Sequence, residues 1–173
     1  GTQIITGPDD INYIGADVTD DGDGTVTISG FGFPDFIVND EKSAGTAGGS
    51  SISGRQARDL NSVERNEISG ASLSSNAITL PAGTYYIEAS APAYKVRRHK
   101  IILSDITNIV DKKIGSSQFT NPNDGVVTKS TMSGEFSLNG STDLKINHYT
   151  SDSKISDGLG VSTSEGTAEI YTQ

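Results

Sequence analysis

Three features of this sequence predict an all-β fold. Short runs of β-branched and aromatic residues recur along the chain. Turn-formers (Gly, Asn, Asp, Pro) separate them at intervals of about ten residues. No stretch carries the Leu- and Ala-rich 3.6-residue repeat of an amphipathic helix. Together these describe a sandwich or a barrel. One third of the 173 residues are apolar, so a core closes only where strand alternation sends them to one side.

The first 30 positions hold Asp9, Asp10, Asp17, Asp20, Asp21 and Asp23 and none of the 13 basic residues. This step in composition predicts a segment 1–32 followed by a main domain 33–173, with Gly30–Pro34 as the breaker between them. Within the segment, Ile11–Val18 and Thr25–Phe31 read as strands. The Asp/Gly run between them tolerates positive φ and makes a hairpin turn. A lone hairpin cannot bury a core, so segment 1–32 is expected to lean on partners, with Ile11, Tyr13, Val26 and Ile28 as its attachment residues.

In the main domain, Phe36–Val38 reads as a short strand, 43–54 as a flexible exposed loop, and Arg55–Ser69 shows no readable pattern. Ala77–Leu80 is a strand, Pro81–Gly83 a turn and Thr84–Ser90 the next strand. Ala93–Ser104 reads as one strand with a bulge near Arg98, where alternation slips by one. Later strands are Val126–Asn139, broken at Gly134, then Asp143–Thr150 and Gly166–Thr172. Polar segments 43–54, 105–125 and 151–165 are candidate recognition loops.

Several functions find no support. There is no cysteine, hence no disulfide or thiolate metal site, and an exposed domain without disulfides commonly gains robustness from oligomerisation. No run approaches the ~18 apolar residues of a membrane span. A net charge of −9 opposes nucleic acid. Asp21–Thr27 matches the centre of a calcium loop, but the first and twelfth ligand positions fall on Thr19 and Gly30. Gly49–Gln56 has phosphate-loop glycine spacing without the Lys-Ser/Thr that would hold a phosphate. No Gly-x-Ser-x-Gly elbow is present, and Glu135, Glu165 and Glu169 form no catalytic pattern. The chain therefore reads as non-enzymatic, without cofactor or metal. His99 and His148, the two histidines, could line up on neighbouring strands and read as packed imidazoles rather than ligands. Lys95, Arg97, Arg98 and Lys100 form a candidate basic patch, more simply a solvated strand face.

Residues 78–91 (ITLPAGTYYIEASA), 133–149 (SGEFSLNGSTDLKINHY) and 168–172 (AEIYT) resemble the globular heads of the C1q and tumour-necrosis-factor family. Asn39–Lys42, the glycine-rich loop at 44–49 and Arg58-Asp59-Leu60-Asn61 resemble the phage version of that head, and GADVTDDGDGTVTI at 15–28 resembles a connector of phage tail-fibre and tailspike proteins. The resemblance covers most of the chain, although the sequence has no tryptophan where the arginine loop of such heads commonly holds an aromatic. It implies a jelly-roll sandwich assembled as a homotrimer, preceded by a β-hairpin connector. Matching to the axial strands makes Tyr85, Tyr86, Ile87, Tyr149, Ile170 and Tyr171 the candidate trimer interface.

The function implied is that of a virion-surface protein, made in the host cytoplasm and displayed outside the cell. It would be the terminal head of a tail fibre, binding a host receptor or surface glycan, with a virion protein holding the N-terminal segment. The alternative is a capsid decoration or head-fibre knob attached through that same segment.

Overall fold

The computed structural model describes residues 17–20, 26–29 and 33–173, and the chain divides into two compact units, Gly1–Pro34 and Asp35–Gln173. In the first unit β1 (Asp17–Asp20) and β2 (Val26–Ser29) pair antiparallel, with Asp17 opposite Ser29 and Asp20 opposite Val26. Val26 and Ile28 thus lie on β2. Ile11, Tyr13 and the turn residues 21–25 lie outside the described residues.

The second unit consists of strands and connections, with no helix among the described residues. Its strands are β3 (Phe36–Ser43), β4 (Gly54–Ala57), β5 (Ser62–Asn66), β6 (Ser72–Ser74), β7 (Ala77–Leu80) and β8 (Gly83–Tyr94), then β9 (Arg97–Asp105), β10 (Val110–Ile114), β11 (Gln118–Thr120), β12 (Val127–Leu138), β13 (Thr142–Thr150) and β14 (Ala168–Thr172). One sheet runs β10-β9-β13-β7-β6, with β11 also on the edge of β9 and β4 also on the edge of β13. Facing it are the long β12-β8 ribbon and the trio β14-β3-β5. Gln173 links these two pieces: its N–H donates to Ser90 O (3.3 Å) and its carbonyl accepts from Ser90 N (2.8 Å). The second layer therefore reads β12-β8-β14-β3-β5. All pairings are antiparallel, and the two layers form a β-sandwich.

Alternation explains the core. Ile78 and Leu80 of β7, Ile101 and Leu103 of β9, and Leu144 and Ile146 of β13 project from the first layer. They meet Ala91 of β8 and Met132, Phe136 and Leu138 of β12 from the second, while Tyr85, Ile87, Phe36 and Val38 pack against the same cluster. The Tyr85 and Phe136 rings stack with centroids 5.6 Å apart.

Three local expectations change. The single strand expected over 93–104 is two strands in different layers. Lys95 (φ 55°) and Arg97 (φ 57°) take left-handed backbone around a fully buried Val96, and the chain crosses there from β8 to β9. What resembled a slipped alternation is this crossing. Gly134 does not break β12, whose register with β8 runs unbroken from Val127–Tyr94 to Leu138–Gly83. The 43–54 loop is tied down: Gly48 N donates to Gly160 O (3.0 Å), Leu159 N to Gly49 O (3.0 Å), and Ser51 bridges Lys154. A side chain at Gly48 would sit 2.7 Å from Leu159 O, which is why the segment needs small residues there.

Candidate functional site

Strands β9 and β13 lie side by side with Lys100 opposite Tyr149 and His99 opposite Thr150. Successive side chains point to opposite faces, so the same two strands present one set of residues to solvent and another to the interior.

The solvent set is cationic and aromatic. Tyr149 (40 % exposed) is flanked by Lys100 on β9 and by Arg55 on β4, and Phe119 of β11 (56 % exposed) lies opposite Arg98. Arg55 is oriented by a bidentate pair with Asp111, Nη1 to Oδ1 at 2.9 Å and Nη2 to Oδ2 at 3.0 Å. That pairing, aided by Ser104 Oγ, holds the Asp111 carboxyl below its ordinary range. Arg98 and Lys100 form no ion pair among the described residues. Of the other two basic residues expected in this patch, Arg97 is paired, its Nε donating to Asp152 Oδ2 at 2.7 Å, and Lys95 Nζ lies 5.2 Å from the Tyr94 ring centroid. A shallow depression continues the face between Arg55, Asn147 and the β9–β10 turn, where Ile109 is exposed.

Beneath this face lies a closed polar network. Arg58 and His148 are fully buried, and His99 nearly so. Arg58 follows β4 and spans both layers. Its Nε donates to Thr172 Oγ1 (2.7 Å), its Nη1 to Leu159 O (3.0 Å), and its Nη2 to the fully buried Asp40 Oδ2 (3.2 Å). Nη1 also makes a long contact to His148 Nδ1 (3.5 Å). Arginine can only donate, so His148 accepts on Nδ1 and carries its proton on Nε2. That proton is donated to His99 Nδ1 (2.9 Å), and His99 Nε2 in turn donates to Thr128 Oγ1 on β12 (2.8 Å). All four ring nitrogens are thereby engaged. At the far end Asp40 contacts Lys42 (3.2 Å), which also pairs Asp59 (2.8 Å).

Burial, reinforced by the Arg58 charge, pushes His99 down to about 4 and His148 down to about 2. Burial lowers Arg58 to about 10 against the pull of Asp40, and it raises the Asp40 carboxyl despite Arg58 and Lys42. Both histidines are thus neutral hydrogen-bonding links at pH 7. Enclosed as they are, they have no access to a substrate, and the network acts as a clasp between the layers.

The six residues expected to line one trimer interface do not share a surface. Tyr85 and Ile87 pack against the domain's own core. Tyr171 is buried and donates its hydroxyl to Thr46 O (2.7 Å), and burial pushes that hydroxyl up to about 12. Tyr86 (68 % exposed) and Ile170 face outward from the second layer, whereas Tyr149 faces outward from the first.

No family model, curated protein or solved structure matches this chain. The site therefore stands on its own geometry. Sequence reading singled out the histidines and the basic strand but missed Arg58, Asp40, Thr172 and Phe119 as members. Arg58 and Asp40 stand in motifs noted only for their resemblance; the stretch around Arg58 has no readable strand pattern, and nothing local marks an arginine that will be fully enclosed. The bulge that makes Tyr171 an extra residue between the Ile170–Glu41 and Thr172–Asp40 pairs turns Thr172 inward to meet it.

Proposed function

We propose that this chain is a non-enzymatic binding head, the terminal head of a phage tail fibre, whose sandwich is a jelly roll assembled as a trimer on the virion surface. The observation that carries the binding reading is the exposed aromatic and cationic face of β9, β13, β11 and β4, held rigid from beneath by the Arg58–histidine clasp. Rigid strands presenting a prepared surface suit recognition. The wrapping supports the jelly roll: β7, β8 and β9 alternate between layers, as do β12, β13 and β14, so sequence neighbours face each other instead of pairing. Tyr86, Val127 and Ile170, exposed on the outer face of the second layer, supply apolar surface for contact between copies.

Light scattering on the purified chain should give the mass of three copies, and the labelled protein should adsorb to a subset of a panel of capsulated bacteria. A monomer would overturn the trimer. Adsorption to none of the panel would overturn the receptor-binding role. A second reading, a decoration knob on the capsid, is favoured by Gly1–Pro34 forming a compact unit of its own. It requires attachment to virions to be lost when that unit is deleted.

A further inference from the structure

We infer that the outer face of β9, β13, β11 and β4 binds an acidic polysaccharide, with Tyr149 and Phe119 as stacking platforms and Arg98 and Lys100 as carboxylate-recognising groups. The inference rests on the binding-head reading and specifies its ligand.

Charge is the first argument. The chain carries 22 acidic and 13 basic residues, so carboxylates are abundant, yet Arg98 and Lys100 stand on neighbouring outward positions of one strand with none paired to them among the described residues. Their backbones are about 7 Å apart along the strand. Arg55 lies beyond Tyr149, two strands from Lys100 and so roughly 10 Å away, with its fork already fixed by Asp111. Arg55 is thus a fixed wall of the face, and the two unpaired cations, Arg98 and Lys100, are the groups left to meet carboxylates spaced along a chain.

The aromatic rings are the second argument. Phe119 and Tyr149 sit on strands flanking β9, one register step apart on the outward face. Sheet spacing separates them by roughly 12 Å, a reach suited to an oligosaccharide rather than a single sugar. An exposed ring beside a cation offers an apolar surface to sugar C–H groups while the cation takes the acid. The overall charge of −9 argues against nucleic acid, whose phosphates recur at every nucleotide. A polysaccharide with a carboxylate on its sugars brings fewer charges per unit of apolar surface and is repelled less.

The test uses the full chain and four soluble probes: polygalacturonate, polysialate, neutral dextran and poly-glutamate, with oligothymidylate as a fifth. Binding is read by biolayer interferometry at several salt concentrations. At least one of the two acidic glycans should bind, dextran should not, and poly-glutamate and oligothymidylate should bind at least about tenfold more weakly. Arg98→Gln and Lys100→Gln should each weaken glycan binding by about tenfold and flatten its salt dependence. Tyr149→Ala should weaken it without changing the salt slope, and Tyr149→Phe should restore it. All three positions lie on the outer face, and melting curves confirm that the variants fold. Binding of neither acidic glycan, equal binding of dextran or poly-glutamate, or unchanged binding by the Arg98 and Lys100 variants would each overturn the inference. If wild-type protein adsorbs to bacteria and the double Gln variant adsorbs equally, the binding-head reading stands and this ligand site falls. If wild-type protein adsorbs to none, the broader reading falls first.

Discussion

The two ends of the sandwich interior are built on opposite principles. One end is apolar: Leu80, Leu138 and Leu144 close around the stacked Tyr85 and Phe136 rings. The other is polar: Arg58, Asp40, His148, His99 and Thr172 fill the same inter-layer space with directed hydrogen bonds. Apolar packing is non-directional and indifferent to pH. The polar end holds its layers together only while each donor has its acceptor and both histidines stay neutral. The fold thus has one end that tolerates repacking and one whose geometry is specified atom by atom. The specified end lies under the exposed aromatic and cationic face.

The largest effects should come from breaking each end at pH 7. Phe136→Ala leaves a cavity and should cost about 3–5 kcal/mol. Arg58→Met leaves Asp40 buried without its main partner and should cost a similar ~3–5 kcal/mol. Repair separates the two. Adding Asp40→Asn to Arg58→Met should recover much of the loss, because it removes the uncompensated charge, while the same change added to Phe136→Ala should not. Urea unfolding of the four proteins measures this.

The second effect is pH dependence. Both histidines have folded-state values lowered from 6.5, to about 4 for His99 and about 2 for His148. Their neutral forms therefore favour the fold fully above pH 6.5, and that contribution is lost as pH falls, because the unfolded chain takes up protons that the folded chain refuses. Between pH 7 and pH 5 the pair should remove roughly 4 kcal/mol of stability. His99→Gln, which does not titrate, should about halve the slope in that window, whereas Phe136→Ala should leave it unchanged. Equal slopes for wild type and His99→Gln would show that the clasp is not the source.

The smallest effects probe single contacts. Tyr171→Phe removes the hydroxyl donated to Thr46 O and should cost about 1 kcal/mol. Arg98→Gln and Lys100→Gln, with no ion pair to lose, should change stability by less than about 0.5 kcal/mol. A larger loss at either position would mean that it supports the fold instead of facing a ligand.

Legibility followed the same division. The apolar end was written in local alternation: β7, β13 and β14 were expected within one or two residues of where they lie, and the turn at Pro81–Gly83 separates β7 and β8 as anticipated. The polar end was not. His99 and His148 could be suspected of sharing neighbouring strands, but Arg55–Ser69 showed no pattern. It holds β4 and β5, whose exposed or half-exposed residues alternate too weakly to read. Phe119 went unnoticed in a segment taken for a loop, because a three-residue strand is too short to show a period.

By itself the sequence determined the all-β class and most of the strands, because a period of two is a local property that any strand-length window displays. The tertiary structure alone decided which polar residues meet. Arg58 reaches Asp40 across 18 positions and Thr172 across 114, and the crossing at Val96 assigns β8 and β9 to different layers. Such contacts depend on how the layers close over one another. Closure is set by the sum of all strand pairings, so no single stretch of chain encodes it.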